Sequence, residues 1–195
     1  MLRIISGTAG GIRIKAPDTD KTRPTLDRIK ESVFGILQPY LEDTRVLDLF
    51  AGSGNLGLEA LSRGASQAVF VDESRLCRSI IEENINRTHM SGKAQVIQSD
   101  VFRAIQALSR EGRRFDMIFI DPPYSHNYVN KTLQMIEEND IIFENGLIAV
   151  EHHEDEQPAD VIGRITKVRS RNYGDTVFSF YVRSFDEPAE RGIET

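Results

Sequence analysis

Four residues near the middle of the chain are suited to holding an amino group: Asp121, Pro122, Pro123 and Tyr124. They follow the bulky apolar run Phe115–Ile120, which is typical of a strand buried on both faces of a parallel sheet. The two prolines end that strand because neither nitrogen can donate to a ladder. A stiff backbone between a carboxylate and an aromatic ring could grip a planar group that carries an amine. On these residues alone, any planar amine would fit.

A glycine-rich loop, DLFAGSGNLG at residues 48–57, follows an earlier apolar run. Gly52, Gly54 and Gly57 match the pattern G-x-G-x-x-G, and Asp72 lies 20 residues after Gly52 at the end of the next predicted strand. Such a loop lets the backbone approach a ligand closely, and the acidic residue can take two ribose hydroxyls. On spacing alone, a nicotinamide dinucleotide or a purely structural turn would also fit.

Asp48 favours S-adenosylmethionine over a dinucleotide. A carboxylate four residues before Gly52 suits a cationic amino-acid part and a sulfonium better than an anionic pyrophosphate. Asp72 would then take the ribose, and Asp100, at the end of the third predicted strand, would meet the adenine amino group. Helix N-caps are the alternative for both of these acidic residues. The predicted cofactor-binding residues are Asp48, Phe50, Ala51, Gly52, Ser53, Gly54, Asp72, Glu73, Asp100 and Val101.

The chemistry of the central motif follows from the nature of a base amine, which is a poor nucleophile because its lone pair is delocalised into the ring. The Asp121 carboxylate and the Pro122 carbonyl would accept its two hydrogens and aim the lone pair at a methyl donor. Tyr124 could stack on the base, which is worth about 1–3 kcal/mol in single-strand binding. A base inside a stem must first be unstacked. We therefore predict Asp121, Pro122, Pro123 and Tyr124 as the catalytic residues, with a plain strand-ending turn as the alternative.

Strand and helix patterns alternate from residue 45 and would position these motifs at strand ends. Three or more such repeats with short connections predict a doubly wound α/β fold with a parallel sheet. The predicted strands are 46–50, 68–72, 94–97, 115–120 and 146–151, and the predicted helices are 55–63, 74–89, 101–110 and 128–138.

The two ends of the chain differ from this alternation. Before it, short β-like runs at 2–5 and 12–15 predict a small hairpin, and apolar spacing predicts an amphipathic helix over 26–41. After it, strands at 165–169 and 176–182 around a turn predict an antiparallel hairpin. We expect an N-terminal extension at 1–42, a main domain at 43–185 and a flexible tail at 186–195.

Composition limits the class of protein. A chain of 195 residues with 39% apolar residues fits one domain of ordinary size. No stretch approaches the roughly 18 apolar residues of a membrane span, and no signal peptide is evident. The single cysteine, Cys77, excludes an intramolecular disulfide. We expect a cytoplasmic protein without membrane contact, and nothing demands more than a monomer.

The net charge of −6 is unevenly distributed along the chain. Residues 1–40 contain seven basic and four acidic side chains, a charge of +3, whereas the remainder carries −9. A basic segment on an acidic body is compatible with phosphate contacts, and an ordinary solvated face is the alternative. The predicted phosphate contacts, and so the RNA-binding residues, are Arg3, Arg13, Lys15, Arg23, Arg28 and Lys30.

Four segments together resemble the bacterial 16S ribosomal RNA guanine-N2 methyltransferases: RIISG (3–7), TRPT (22–25), VLDLFAGSG (46–54) and DPPY (121–124). The resemblance extends to about residue 183. It implies a Rossmann-like class I methyltransferase fold with a seven-stranded sheet, S-adenosylmethionine as cofactor, and a guanine in the 16S RNA of the small ribosomal subunit as substrate. It also implies that Asp48, Gly52, Gly54, Asp72 and Asp100 bind the cofactor and that residues 121–124 hold the base. The family commonly has a small residue such as Ala where this chain has Asn55.

Other functions stay open on the sequence. The glycine pattern also fits a nicotinamide-dependent oxidoreductase, and the fold could serve a non-catalytic RNA-binding assembly factor. The central motif serves N6-adenine methylation as well. Only the lack of room for a DNA recognition region argues against a DNA enzyme, because residues 1–40 suffice at most to dock on folded RNA. The run EHHED at 151–155 suggests metal ligands, but adjacent strand residues point to opposite faces, so we expect no metal site.

Overall fold

The computed structural model describes residues 2–17, 23–123 and 128–184, and the side chains of all of these except 23–26. Helices and strands alternate through most of the chain. In order they are β1 (Leu2–Arg3), β2 (Arg13–Ile14), α1 (Arg23–Leu37), a 3-10 turn (Gln38–Tyr40), β3 (Arg45–Leu49), α2 (Asn55–Ser62), β4 (Gln67–Asp72), α3 (Arg75–Arg87), β5 (Ala94–Gln98), α4 (Val101–Arg110), β6 (Phe115–Ile120), α5 (Tyr128–Glu138), β7 (Ile142–His153), β8 (Val161–Ile162), β9 (Ile165–Tyr173) and β10 (Thr176–Arg183).

The main sheet has eight strands in the order β5-β4-β3-β6-β7-β10-β9-β8. The pairs from β5 to β7 are parallel, and those from β7 to β8 are antiparallel. The predicted doubly wound parallel sheet and its antiparallel C-terminal hairpin are therefore confirmed. The strand order reverses between β3 and β6, and ligands of such sheets bind outside the carboxyl ends of the strands at this point.

The predicted count of seven strands is wrong. The eighth strand is β8, a two-residue edge strand in which Val161 pairs with Thr166 and Ile162 with Ile165. Two residues beside a glycine give no period that a sequence pattern can detect. A separate two-stranded hairpin is formed by β1 and β2, as predicted.

Helices cover both faces of the parallel half of the sheet, which explains why its strands are apolar throughout. Along β6, Met117 and Phe119 belong to one buried cluster, whereas Ile118 and Ile120 belong to another. This alternation follows from the two-residue period of a strand. Full burial of such side chains contributes roughly 1.5–3 kcal/mol each, and it fixes β6 so that residue 121 emerges at the carboxyl edge.

The N-terminal hairpin is attached to α2 through a buried carboxylate. Glu59 accepts hydrogen bonds from the backbone N–H groups of Ile5, at 2.8 Å, and Ser6, at 3.1 Å. It also forms ion pairs with Lys30 and Arg63 at 3.1 and 2.7 Å. A fully buried charge needs such partners, and here they fix residues 5–6 and α1 against the main domain.

Candidate functional site

The glycine-rich loop that connects β3 to α2 contains two glycines with left-handed backbone conformations. Gly52 has φ +55° and Gly54 has φ +76°, and α2 begins at the next residue, Asn55. A Cβ added at Gly52 would meet only the Phe50 carbonyl oxygen, 4.0 Å away, so the turn faces open space. At Gly57 a Cβ would lie 2.4 Å from the Phe70 ring, so this glycine serves close helix–strand packing.

Asp72 ties this loop to the end of β4. Its Oδ2 accepts a hydrogen bond from the Gly52 N–H at 2.8 Å, and its Oδ1 accepts one from the Ser74 N–H at 2.9 Å. A carboxylate oxygen has two lone-pair sites, so each oxygen can still accept a hydroxyl. The geometry suits the predicted ribose contact, which stays a prediction.

Asp48 lies beneath the loop. Its side chain is 2% exposed, and its Oδ2 accepts a hydrogen bond from the Gly57 N–H at 2.9 Å. Burial raises the pKa of Asp48 well above its ordinary value, and the nearby charges of Asp121 and Asp72 raise it further. Asp48 does not line either of the two cavities described below. Its hydrogen bond from Gly57 is a contact with the first turn of α2, and its predicted contact with the cofactor stays a prediction.

The first cavity, of about 240 Å³, lies at the carboxyl ends of the strands. It brings together half of the predicted cofactor residues and two of the predicted catalytic ones. Its lining is Phe50, Asp72, Glu73, Ser74, Asp100, Val101, Asp121, Pro123 and Tyr128. Asp100 also caps α4 by accepting a hydrogen bond from the Arg103 N–H at 3.0 Å, so the cap and the cavity wall are the same side chain.

Two aromatic rings, Phe50 and Tyr128, line this cavity, and a third, Phe102, packs against Tyr128. Phe50 has φ +61°, a left-handed conformation that costs a non-glycine residue on the order of 1–2 kcal/mol. Its ring meets that of Tyr128 edge-on at 5.9 Å between centroids, and Tyr128 stacks on Phe102 at 6.2 Å. Strain of this kind is commonly found at ligand sites. Sequence reasoning missed Tyr128 and Phe102, although both follow strand ends that already carried predicted site residues.

The second cavity, of about 180 Å³, also has Asp121 in its lining. It is built from the N-terminal hairpin, α1, the glycine-rich loop and the ends of β7 and β10. Its lining is Leu2, Ile29, Lys30, Ser53, Asn55, Leu56, Asp121, Glu151 and Phe178. Asp121 is the residue that these two cavities share, so a ligand in either would meet its side chain.

Of the other three residues in the predicted catalytic motif, the structure describes two, Pro122 and Pro123. Pro122 is buried and Pro123 is exposed toward the first cavity. Tyr124 lies outside the described residues, and its stacking role stays a prediction.

Lys30 is not placed as a phosphate contact would require. Its side chain is 4% exposed, and its ammonium pairs with Glu59 and donates to Asn55 Oδ1 at 2.7 Å and to the Arg3 carbonyl. Burial lowers the pKa of Lys30, although the Glu59 charge opposes this. Lys30 therefore supports one wall of the second cavity, and Asn55, the departure from the family pattern, is its partner there.

The other predicted RNA-binding residues lie nearer the surface. Arg3 pairs with Asp27 at 2.8 Å, and Lys15 pairs with Glu83 at 2.6 Å, both in exposed positions. Arg13 and Arg28 are also exposed. Exposed pairs of this kind are weak and can exchange for phosphate. The side chain of Arg23 lies outside the described part of the structure.

Two basic residues that sequence reasoning missed lie on β9. Arg169 and Arg171 are exposed and have no ion-pair partner among the described residues. They pair in register with Phe180 and Phe178 of β10. Paired residues project from the same face, so the two arginines share the face on which Phe178 lines the second cavity. The alternating pattern K-V-R-S-R was the available signal, but the predicted strand ended at Arg169.

His152, in the run that suggested metal ligands, is buried on β7. Its Nε2 lies 2.9 Å from Ser179 Oγ, and burial lowers its pKa. Among the described residues, no three His, Cys, Asp or Glu side chains are grouped as a metal site requires. In the same described ranges, no helix is both long and apolar enough to cross a membrane.

Comparison with known proteins gives consistent matches along nearly the whole chain. A family model described as Conserved hypothetical protein 95 matches residues 2–182. The protein YlbH of Bacillus subtilis is 37% identical over 180 residues, which covers 92% of this chain and 98% of YlbH. Ribosomal RNA small subunit methyltransferase D of Escherichia coli is 33% identical over 182 residues, covering 93% and 90% of the two chains. The solved structure of yhhF from Escherichia coli superposes with a TM-score of 0.82 at 33% identity, covering 94% of this chain and 98% of that one.

Proposed function

The chain belongs to the family described as Conserved hypothetical protein 95 and is related along nearly its full length to ribosomal RNA small subunit methyltransferase D, and from this premise we propose that it methylates N2 of a guanine in 16S ribosomal RNA with S-adenosylmethionine as the methyl donor. The single observation that carries the proposal is the position of Asp121 between two cavities. A methyl transfer needs two ligands to meet at one point, and these cavities meet at this side chain.

The first cavity fits the cofactor. When bound, S-adenosylmethionine supplies an electrophilic methyl group on a sulfonium. The open space at Gly52 admits a ligand against the backbone, and Asp72 and Asp100 offer acceptors for ribose hydroxyls and an adenine amine. The Phe50 and Tyr128 rings give an apolar wall for an adenine.

The second cavity fits the base that is methylated. Asp121 and the Pro122 carbonyl would accept the two hydrogens of the amine, which localises the nitrogen lone pair and orients it toward the first cavity. Asp121 also stabilises the positive charge that develops on nitrogen. No general base is required before attack, since the proton can leave the nitrogen after the methyl group has been transferred.

RNA docking would use exposed basic side chains of the segments that form the second cavity. These are Arg3, Arg13, Lys15 and Arg28 of the N-terminal segment, with Arg169 and Arg171 of β9 as additions. Phosphate contacts fix position and supply most of the salt-dependent affinity. We propose folded RNA within a small-subunit particle as the substrate, a monomer as the active form, and the cytoplasm as the place of reaction.

Replacing Asp121 tests the catalytic assignment. Asp121→Ala should lower methyl transfer to small subunits from cells lacking the gene by at least about 100-fold, as loss of a charge-stabilising group commonly does. Calorimetry should show that S-adenosylmethionine still binds. Asp121→Asn keeps an acceptor and should be intermediate. An unchanged rate in Asp121→Ala would refute the role given to this carboxylate.

Product analysis tests the substrate assignment. Mass spectrometry of ribosomal RNA from cells with and without the gene should reveal one N2-methylguanosine that depends on it. An N6-methyladenosine at that position would instead support the alternative base. Binding of NAD without S-adenosylmethionine would support an oxidoreductase.

Salt dependence tests the two arginines on β9. The double variant Arg169→Ala, Arg171→Ala should raise KM for small subunits and reduce the slope of log KM against log salt by about 1–2. Arg103→Ala, an exposed arginine on α4, is the matched control and should leave both unchanged. Equal slopes in the double variant and the wild type would contradict the docking surface.

A further inference from the structure

Asp121 and Glu151 emerge side by side from two neighbouring strands. The last register pair of β6 and β7 is Ile120 with Val150, and the two carboxylate residues follow directly. Parallel neighbours lie about 4.8 Å apart, and side chains at matching positions point to the same face. Both side chains line the second cavity, so any base held there by Asp121 lies beside a second carboxylate.

The two purines differ in what they present beside the amine. In guanine the N2 amine is adjacent to N1–H, so two neighbouring groups donate. In adenine the N6 amine is adjacent to an unprotonated N1, so a donor lies beside an acceptor. A carboxylate only accepts, so a pair of carboxylates matches the guanine edge and opposes the lone pair of adenine N1.

We propose that Glu151 accepts a hydrogen bond from N1–H of the substrate base and thereby selects guanine over adenine. The assignment rests on the proposed function, because it presupposes that the second cavity holds the base. Glu151 orients and selects the base, whereas Asp121 holds the amine that reacts. This separates two roles that the central motif alone cannot separate, since that motif fits either purine.

The test compares guanine with 2-aminopurine, which has the same N2 amine beside an N1 that lacks hydrogen. Small-subunit RNA is ligated around a synthetic segment that carries either base at the mapped nucleotide and is reconstituted into particles. Transfer of a radiolabelled methyl group gives kcat/KM for each. The wild type should prefer guanine by about 10- to 100-fold, as expected when an acceptor that the bound base covers loses its donor.

Glu151→Gln is the diagnostic variant because its amide can donate to the N1 of 2-aminopurine. It should lower kcat/KM for guanine and bring the ratio of the two substrates to within about threefold, since the amide accepts as well as donates. A residue with a merely structural role would lower both values equally and leave the ratio unchanged. Glu154→Gln, an exposed glutamate that follows the same strand and does not line the second cavity, is the matched control.

Each outcome supports or overturns the assignment. Equal rates of the wild type on both particles, or an unchanged ratio in Glu151→Gln, would overturn it. If Glu151→Gln failed to bind S-adenosylmethionine, Glu151→Asp would be tested in its place. Glu151→Asp should keep the preference for guanine at a lower rate. Loss of that preference, with the carboxylate retained, would overturn the assignment. Failure of the wild type to methylate the guanine particle would refute the proposed function instead, so the two failures are distinguishable.

Discussion

Replacing Gly57 with alanine tests whether packing of α2 on β4 holds the glycine-rich loop in its ligand-binding form. Inside a helix, alanine is ordinarily favoured over glycine by about 0.5–1 kcal/mol. A Cβ at this position, however, would lie 2.4 Å from Cε1 and 2.9 Å from Cζ of Phe70, a ring with no exposed surface. Helix propensity therefore predicts that Gly57→Ala raises the free energy of unfolding, whereas packing against Phe70 predicts that it lowers it.

The packing term should prevail. Carbon atoms in contact lie about 3.5–4.0 Å apart, so Phe70 or α2 would have to move by roughly 1 Å. Overpacking of this kind costs about 1–3 kcal/mol, and after the helix propensity of about 0.5–1 kcal/mol is subtracted, the middle of these ranges leaves a net loss of about 1 kcal/mol. For a chain of this length that corresponds to a fall in Tm of about 2–4 °C. The new Cβ would also lie 3.1 Å from Asp48 Oδ2 and disturb the acceptor of the Gly57 N–H.

Thermal unfolding and calorimetric titration with S-adenosylmethionine measure the two effects. Gly35→Ala is the matched control, since Gly35 is an exposed residue of α1 and its Cβ would meet nothing within 4 Å. The control should keep or raise Tm and leave the Kd for the cofactor unchanged. If Gly57→Ala melted at or above the wild-type temperature with an unchanged Kd, packing against Phe70 would not be what fixes the loop.

Two further variants test the buried charges. Glu59→Gln should lower the free energy of unfolding by about 3–5 kcal/mol, because it leaves Lys30 and Arg63 without their carboxylate; a urea denaturation curve that matches the wild type would contradict this. Asp48→Asn should gain stability relative to the wild type as pH rises from about 4 toward neutrality. A carboxyl group whose pKa is raised in the folded state contributes stability below its unfolded pKa and loses that contribution as pH rises through the folded pKa. Asparagine does not titrate, so the variant has no such loss. Urea unfolding at several pH values measures the difference, and one that stays constant with pH would show that Asp48 is not the titrating group.

Much of the fold was predictable because the strands and helices have strong periodic patterns. β6 and α4 have the bounds that the sequence indicates, Phe115–Ile120 and Val101–Arg110. β7 begins four residues before its predicted start, and residues 144–146, Glu-Asn-Gly, form an irregularity within the strand, with Asn145 at φ +61°. The dipeptide Asn-Gly is typical of a turn, and pairing with β6 overrides this local preference.

The candidate site was predictable in its local motifs and not in its tertiary pairings. Residues at successive strand ends must meet at one edge of a parallel sheet, which is why Asp72, Asp100 and Asp121 line one cavity as expected. The environments of Lys30 and Glu151 were not predictable because they depend on distant elements. The counter-charge of Lys30 comes from α2, and the position of Glu151 beside Asp121 depends on the register between β6 and β7.

The same tertiary pairings bear on the predicted boundary at residue 42. Ile4, Val33 and Phe119 belong to one buried cluster, so the boundary does not separate two cores. Asn84, fully buried on α3, donates to the carbonyls of Ser53 at 2.9 Å and Lys15 at 2.8 Å, and it accepts from the Lys15 N–H at 2.8 Å. One amide thus joins the glycine-rich loop to the N-terminal segment. Because that segment also forms a wall of the second cavity, contacts between RNA and its exposed arginines would act on a loop that belongs to the proposed cofactor site.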